Sequence, residues 1–472
     1  MKFGQSQLDR HSQVPVYRQI YDRFRDAIAR GQLGPGERLP SARSLASQLG
    51  TARGTVDVAY NMLAGEGYII GRGAAGTIVA PCIAQHLQSV KKRPRTTPRT
   101  NEDRPSPRPE KARPFQMGLP ALDVFPRKLW SRLAMRRART LTEAMMVYPD
   151  PLGERTLRDQ IACYLAIARG IQCSPQQIVI TSGFQGGLAL LKELLLQPGD
   201  AVWLEDPGYF MTRRAFEIIG ANVIAVPVDE NGLSVDAGIE LNKHARIAVV
   251  TPSHQAPLGV SLSLPRRLAL LDWAQQHDAW IIEDDYDGEF RYTSRPLPAL
   301  KSLDQADRVI YAGTFSKVLF PALRVGYIVL PENLLDRCAE ISLLLQSGRS
   351  LLNEQIIADF MAEGHFARHI RRMRQLYANR RAALAEVLND RMGGRFRVDL
   401  SAGGLHLLAW PKRRESDRLL VSKATALGLA PGALSAYSIK QDCGSALLLS
   451  FTNIPVEAAP KAVSLLEQAL AT

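Results

Sequence analysis

Residues 311–327, YAGTFSKVLFPALRVGY, place Lys317 directly after Gly-Thr-Phe-Ser at the end of an apolar run, with Arg324 seven positions further on. A lysine amine in such a loop can condense with an aldehyde, and a guanidinium beside Ser and Thr hydroxyls suits a phosphate. A phosphorylated aldehyde cofactor answers both requirements, and pyridoxal 5′-phosphate (PLP) is the common one. Two further segments fit it. WIIEDDYDGEF (280–290) ends an apolar strand in carboxylates, and a carboxylate there can keep a pyridine nitrogen protonated. VITSGFQGGLALL (179–191) reads as a strand, a glycine turn and a helix start, whose backbone N–H groups can cradle a phosphate.

The elements that must position these residues follow from the hydrophobic pattern. QIVITSG, RIAVVTP, WIIEDDY and RVIYAGT are short apolar runs separated by helical stretches, which predicts a parallel sheet covered on both faces. Such sheets bind ligands outside the carboxyl ends of their strands, where the lysine and the acids fall.

The first eighty residues have a different build. In PVYRQIYDRFRDAIARGQL, Tyr17, Ile20, Tyr21, Phe24 and Ile28 recur at helical spacing, and Gly31 fits the stop. Ser41 is a plausible N-cap for a second helix carrying Leu45 and Leu49 and closing at Gly50. Val56, Ala59, Tyr60 and Leu63 form a third stripe, so the pair reads as a helix-turn-helix with Tyr60 in its core. GYIIGRGAAGTIVA then predicts a hairpin wing.

Charge agrees with this division. Of the formal +13, residues 1–113 carry +10, from 19 Lys/Arg against 9 Asp/Glu, so a polyanion partner belongs at that end or the basic stretch is simply solvated. Residues 82–113 are rich in Pro, Arg and Thr and read as a linker. The five cysteines, Cys82, Cys163, Cys173, Cys338 and Cys443, lack metal-ligand spacing, and we expect no metal and no disulfide framework. No apolar run is long enough to span a bilayer and MKFGQSQLDRHSQ has no signal-peptide core, so a cytoplasmic location is expected.

GERLPSARSLASQLGTARGTVDVAYNMLAGEGYI resembles the winged helix of the GntR regulators, over about residues 13–80. YPDPLGERTLRDQIACYLAIARGI, LEDPGY, VTPSHQAPLG, EDDYDGEFRY and TFSKVLFPALRVGY, in that order, resemble fold-type I aminotransferases of class I/II across residues 115–470. The whole chain is therefore similar to MocR-type regulators, in which an aminotransferase-like domain senses an effector through PLP. The resemblance implies a multi-domain protein. A winged helix-turn-helix (α+β) would occupy residues 1–81 and a linker 82–113. An α/β fold-type I aminotransferase-like domain would occupy 114–472, binding PLP and the effector and forming a homodimer. Residue by residue, it implies covalent attachment of PLP at Lys317, Asp284 at the pyridine nitrogen and Tyr286 at the ring hydroxyl. Phe184, Gln185, Thr314 and Arg324 would surround the phosphate, Tyr209 would pack beside the ring, and His254 and Gln255 would lie in a loop that reaches it. Asp285 and Glu283 fit either a supporting or a capping role, and His254 either a ligand or a satisfied loop histidine. In the head, Arg43, Arg53 and Thr55 become the candidates for DNA phosphate and base contacts.

Two positions depart from the family pattern. Ala256 stands where class I/II enzymes place an asparagine that touches the ring hydroxyl, and Leu448 stands where their substrate-carboxylate arginine is found. The second argues against efficient transamination and leaves three effectors open: PLP itself, an amine without that carboxylate, or an acid held by another arginine such as Arg213. The expected function is a PLP-dependent, DNA-binding transcriptional regulator; the alternative is a working aminotransferase with an appended head.

Overall fold

The computed structural model describes residues 8–9, 12, 14–81, 111–292, 298–345 and 348–471. The chain divides into two compact units, Met1–Pro107 and Arg108–Thr472. Residues 82–110 of the expected linker, Cys82 among them, lie outside the described residues.

The first unit is three helices and a hairpin. Helix α1 (Val16–Ala29) buries Ile20, Tyr21, Phe24 and Ile28. Helix α2 (Ala42–Leu49) is capped by Ser41, whose hydroxyl accepts from the Ser44 N–H at 3.2 Å, and ends at Gly50 in the left-handed conformation. Helix α3 (Arg53–Gly65) buries Val56, Ala59, Tyr60 and Leu63. Tyr60 meets the ring of Phe24 edge-on at 5.6 Å and donates its hydroxyl to the Pro40 carbonyl at 2.9 Å, so it is a core residue as its stripe predicts. Strands β1 (Ile69–Gly71) and β2 (Thr77–Val79) form the antiparallel wing.

The second unit is built on β3 (Ile178–Thr181), β4 (Ala201–Asp206), β5 (Asn222–Asp229), β6 (Gly232–Leu233), β7 (Ile247–Val250), β8 (Trp280–Asp285), β9 (Val309–Thr314) and β10 (Gly326–Val329), in the order β3-β10-β9-β8-β7-β4-β5-β6. Strands β5, β4, β7, β8 and β9 are parallel to their neighbours in that run, but β10 is antiparallel to both β9 and β3, and β6 to β5. The sheet is thus mixed, not purely parallel as the sequence pattern suggests. A parallel return needs a crossover of a dozen or more residues, usually a helix; residues 315–325 between β9 and β10 only make a turn. A fully buried four-residue strand such as β10 looks the same in sequence whichever way it runs.

Helices α4 (Arg127–Arg139), α5 (Arg155–Ala168), α6 (Gly183–Leu195), α7 (Phe210–Ile218), α8 (Val235–Asn242), α9 (Leu264–Gln276), α10 (Leu335–Leu345) and α11 (Leu351–Ala362) flank the sheet. Val202, Leu204, Ile247, Val249, Ile282 and Ile310 point to the face covered by α6, α7 and α10. Trp203, Ala248, Ile281 and Val309 alternate onto the other, where Trp203 stacks on Trp273 of α9 at 3.9 Å. Each such side chain removed from water stabilises by about 1.5–3 kcal/mol, which fixes the strand ends and the loops they carry. Beyond them, helix α12 (His365–Met392) leads to an antiparallel sheet of β11 (Phe396–Asp399), β12 (His406–Pro411), β13 (Gly432–Ala433) and β14 (Leu447–Ser450). Helices α13 (Asp417–Ala426) and α14 (Ala459–Ala471) complete that part.

Candidate functional site

Lys317 follows β9 by three residues, and its amine donates to the carbonyl of Gly118 at 3.0 Å. Gly118 has φ +81, and a Cβ there would lie 2.9 Å from the lysine nitrogen, so only glycine leaves the amine its place. Burial pushes the Lys317 amine below its ordinary pKa, while Asp284 and Asp287 pull it back up. The lowered pKa enlarges the neutral, nucleophilic fraction of the amine.

The three acids that end β8 divide by strand alternation. Glu283 accepts from the backbone N–H groups of Leu300 and Lys301, each at 2.8 Å, and Asp285 takes the Arg169 guanidinium at 2.5 Å and the Tyr311 hydroxyl at 2.6 Å. Both therefore support the scaffold. Asp284 points the other way, 8% exposed, into a cleft it shares with Tyr209, Arg213 and Tyr437. Burial, then the neighbouring Asp285, raise its carboxyl well above the usual range, and the charge of Lys317 opposes them. Such a carboxyl gains most from a cationic partner, and a protonated pyridine nitrogen is one.

A second corner gathers the phosphate candidates. Gly326 pairs with Thr181 on one side and Thr314 on the other, so the ends of β3 and β9 flank the start of β10. Arg324, left-handed at φ +51 after a single 3-10 turn, donates to the Ser182 carbonyl at 3.1 Å, and a methyl group at Gly183 would lie 3.5 Å from its guanidinium carbon. The arginine thus rests against the N-terminus of α6, where helical N–H groups favour anions. Thr314 accepts from the Ser316 N–H at 3.2 Å. The Gln185 side-chain nitrogen is buried without a hydrogen-bond partner, an orphaned donor in the first turn of α6. Phe184 is partly buried and packs against the core. A buried lysine amine, an isolated carboxyl and an anion corner with an orphaned donor fit PLP.

The remaining candidates have protein partners. His254 Nδ1 lies 3.1 Å from the Tyr286 hydroxyl and 3.0 Å from the Asp287 carboxylate, and Nε2 lies 3.3 Å from Ser401 Oγ. Both ring nitrogens thus face protein side chains, Tyr286 among them. Gln255 donates to the Pro207 carbonyl at 2.8 Å and to Glu205 at 3.2 Å, and acts as a strut beneath Tyr209. Asp206 accepts from the backbone N–H groups of Ile439, Lys440 and Gln441 at 2.7, 2.7 and 2.8 Å, tying that loop to the end of β4. Leu448 is fully buried in β14, with Leu408, Leu434 and Met117 around it, so the position is apolar in fact as well as in sequence. Gly118, Ser182 and Asp206 are absent from the sequence reading because their partners lie 142 or more residues away.

In the head, Arg53 and Thr55 begin α3 and Arg43 lies on α2. Arg53 is 70% exposed, with Asp57 3.4 Å from it, and Arg43 is also in solvent; Thr55 is half-buried. Among the described residues no group of His, Cys, Asp or Glu is arranged to hold a metal ion, and no helix is long and apolar enough to cross a membrane.

Residues 16–79 match the bacterial regulatory proteins of the gntR family, and residues 128–420 match aminotransferase class I and II. Over 446 residues the chain is 36% identical to the probable rhizopine catabolism regulatory protein MocR of Rhizobium meliloti, covering 91% of this chain and 88% of that protein. The chain belongs to the MocR-type regulators. A second member, the pyridoxine biosynthesis transcriptional regulator PdxR of Corynebacterium glutamicum, is 35% identical over 91% of this chain and 90% of its own length. Among solved structures, an archaeal alanine:glyoxylate aminotransferase matches with a TM-score of 0.70 and 26% identity, over 76% of this chain and 90% of that one. LysN, the α-aminoadipate aminotransferase of Thermus thermophilus, solved with N-(5′-phosphopyridoxyl)-L-leucine, matches at 0.68 and 28%, over 76% and 91%. The MocR-type chain is therefore a helix-turn-helix transcriptional regulator carrying an aminotransferase-like domain; kinship to regulators over both units favours that reading over a free-standing aminotransferase.

Proposed function

We propose that this regulator takes up PLP at Lys317 and responds to PLP or to an amine or amino-acid effector by changing how its heads engage operator DNA. The observation that carries the reading is the Lys317 amine, lowered in pKa, held by one backbone carbonyl and facing the charge of Asp284. When bound, PLP supplies an aldehyde that captures primary amines and a ring that withdraws electrons. Lys317 holds it, Asp284 keeps a proton on its ring nitrogen, Tyr286 meets the ring hydroxyl, and Tyr209 covers one side. Thr314, Gln185 and Arg324 hold the phosphate against the first turn of α6. The LysN ligand, a phosphopyridoxyl adduct, supports the same cofactor.

The proposal includes a homodimer in the cytoplasm. Met146, Val147 and Tyr148, the last 94% exposed, stand in solvent, as do Leu343, Leu344 and Leu345. Ser342 donates to the Pro151 carbonyl at 2.6 Å and Arg349 to that of Asp150 at 2.7 Å, so the two groups belong to one region. Exposed apolar area of this kind marks association surfaces. In the head, Arg43, Arg53 and Thr55 would contact DNA, with Arg53 and Thr55 at the open N-terminus of α3.

The experiment is an absorbance titration with PLP. The wild type should gain a band near ~420 nm, absent in Lys317→Ala, and sequencing of genomic fragments bound with and without PLP should return a PLP-dependent set. A colourless wild type, or a Lys317→Ala variant that colours equally, overturns the proposal. Steady turnover of amino donors with a keto acid would instead favour an enzyme.

A further inference from the structure

A second cavity lies apart from the cofactor cleft and shares no lining residue with it. Its volume is about 410 Å³, within the range of small-molecule pockets, and it is bounded by the second half of α5, the end of α11 and the start of α12. Part of its lining is apolar. Met361, Phe366, Ile370 and Ile167 contribute, with Phe366 held edge-on to Tyr164 at 5.3 Å and Ile167 left 90% exposed. An isoleucine that open beside a concave surface gains from an apolar ligand laid over it.

The rest is cationic. Arg371 and Arg374 stand one helical turn apart on α12, and Arg374 is steered by its Nε, which donates to the Glu289 carbonyl at 3.0 Å. Among the described residues its terminal nitrogens make no hydrogen bond, and neither arginine enters an ion pair. Arg169, also on the lining, is already committed to Asp285 and Ser253. Glu289 is the acid here; it accepts from the Tyr164 hydroxyl at 2.8 Å, and burial, then Asp285, hold its carboxyl above the usual carboxylate range. Two guanidinium groups with open donors beside an apolar lining are placed for the head of an amphipathic anion. With Glu289 close by, one negative charge suits the site better than the two of a phosphate ester.

We infer that this cavity binds a small apolar monocarboxylate, its chain against Ile167, Phe366 and Ile370 and its carboxylate on Arg371 and Arg374. The inference is independent of PLP uptake at Lys317. Because Arg169 lines the cavity and pairs with Asp285, a bound acid would lie against the side chain that anchors the end of β8.

The test uses the full-length protein, with octanoate and 4-phenylbutyrate as probes and the matching amides as uncharged controls. Titration calorimetry should show the acids binding at least roughly ten-fold more tightly than the amides, the value of a charge-assisted pair. Arg371→Gln, at an exposed position, should cut that preference several-fold, and Arg374→Gln should bring it near one. Ala367→Trp, which fills the cavity mouth, should bind neither acid. Cys163 reports the place directly: it is exposed and lines the cavity, so saturating octanoate should slow its modification by a thiol reagent, read by peptide mapping. Melting temperatures show which variants are folded, and if Arg374→Gln is not, Arg371→Gln decides. Acids that do not bind, amides that bind as well as acids, or a preference intact in Arg371→Gln overturn the inference. So do acid binding that survives Ala367→Trp and a Cys163 that reacts as fast with octanoate as without it.

Discussion

The guanidinium of Arg169, at the end of α5, lies 2.5 Å from the carboxylate of Asp285, at the end of β8, with the two side chains 1% and 2% exposed. Arg169 also donates to Ser253 Oγ at 2.7 Å. This buried pair holds the strand end that presents Asp284 on its opposite face, so a scaffold contact far from the ligand side sets the register of the site.

Arg169→Met leaves the Asp285 charge buried and unpaired. The second unit should lose about 3–5 kcal/mol of stability, read by urea unfolding. A variant as stable as the wild type would show that Asp285 has other support.

Gly118→Ala places a methyl group against the Lys317 amine at a φ of +81. Affinity for PLP should fall by roughly ten-fold or more, while far-UV circular dichroism stays native, because 0.5–1 kcal/mol of helix or strand propensity is not at stake in this turn. A normal absorbance titration would refute the role assigned to this carbonyl.

Glu205 accepts from the Thr251 N–H at 3.0 Å, the Thr251 hydroxyl at 2.6 Å and Gln255, yet burial dominates and pushes its carboxyl up to about 7 from an ordinary 4.5. A carboxyl raised in the folded state binds its proton more tightly there than in the unfolded chain. Its contribution is fully present below about 4.5 and fades as pH rises through about 7. Glu205→Gln should remove up to about 3 kcal/mol of the stability lost between pH 5 and 8, measured by denaturant unfolding at each pH. Glu283 and Glu289, raised to about 7 by the same cause, should keep the rest of the slope.

Asp206→Ala removes the acceptor of three backbone N–H groups. Amide hydrogen exchange at Ile439, Lys440 and Gln441 should accelerate by at least ~10-fold, with the core of the eight-stranded sheet unaffected. Protection that survives would mean that the loop is held by its apolar contacts.

Arg53→Ala should leave the melting of the head unchanged, since the side chain is 70% exposed. Binding to an operator fragment should weaken, and the slope of log K against log salt should shrink by about 0.9, the value for one phosphate contact. An unaltered slope would remove Arg53 from the interface.

The head was legible almost residue by residue. Ser41, Gly50 and the stripes ending in Leu63 specify helices through local capping and a 3.6-residue period, and both effects act within a few positions of the chain. The places of Lys317 and Asp284 in the fold were legible for a related reason: one follows and the other ends a strand whose apolar run marks it. The carbonyl that holds Lys317, the arginine that pairs with Asp285 and the loop tied by Asp206 were not, because nothing local distinguishes Gly118, Arg169 or Ile439 from any other glycine, arginine or isoleucine.

By itself, then, the sequence determined a multi-domain chain, the helices and wing of the head, four apolar strands of the large sheet and the chemical types present at their ends, since those depend on periodicity and on short-range caps. Tertiary structure alone decided the direction of β10, the division of Glu283, Asp284 and Asp285 between scaffold and cleft, and the tying of the 439–441 loop to Asp206. These depend on which distant segments pack together. Packing responds to summed burial and to the need of every buried charge for a partner, and no short stretch of the chain encodes either.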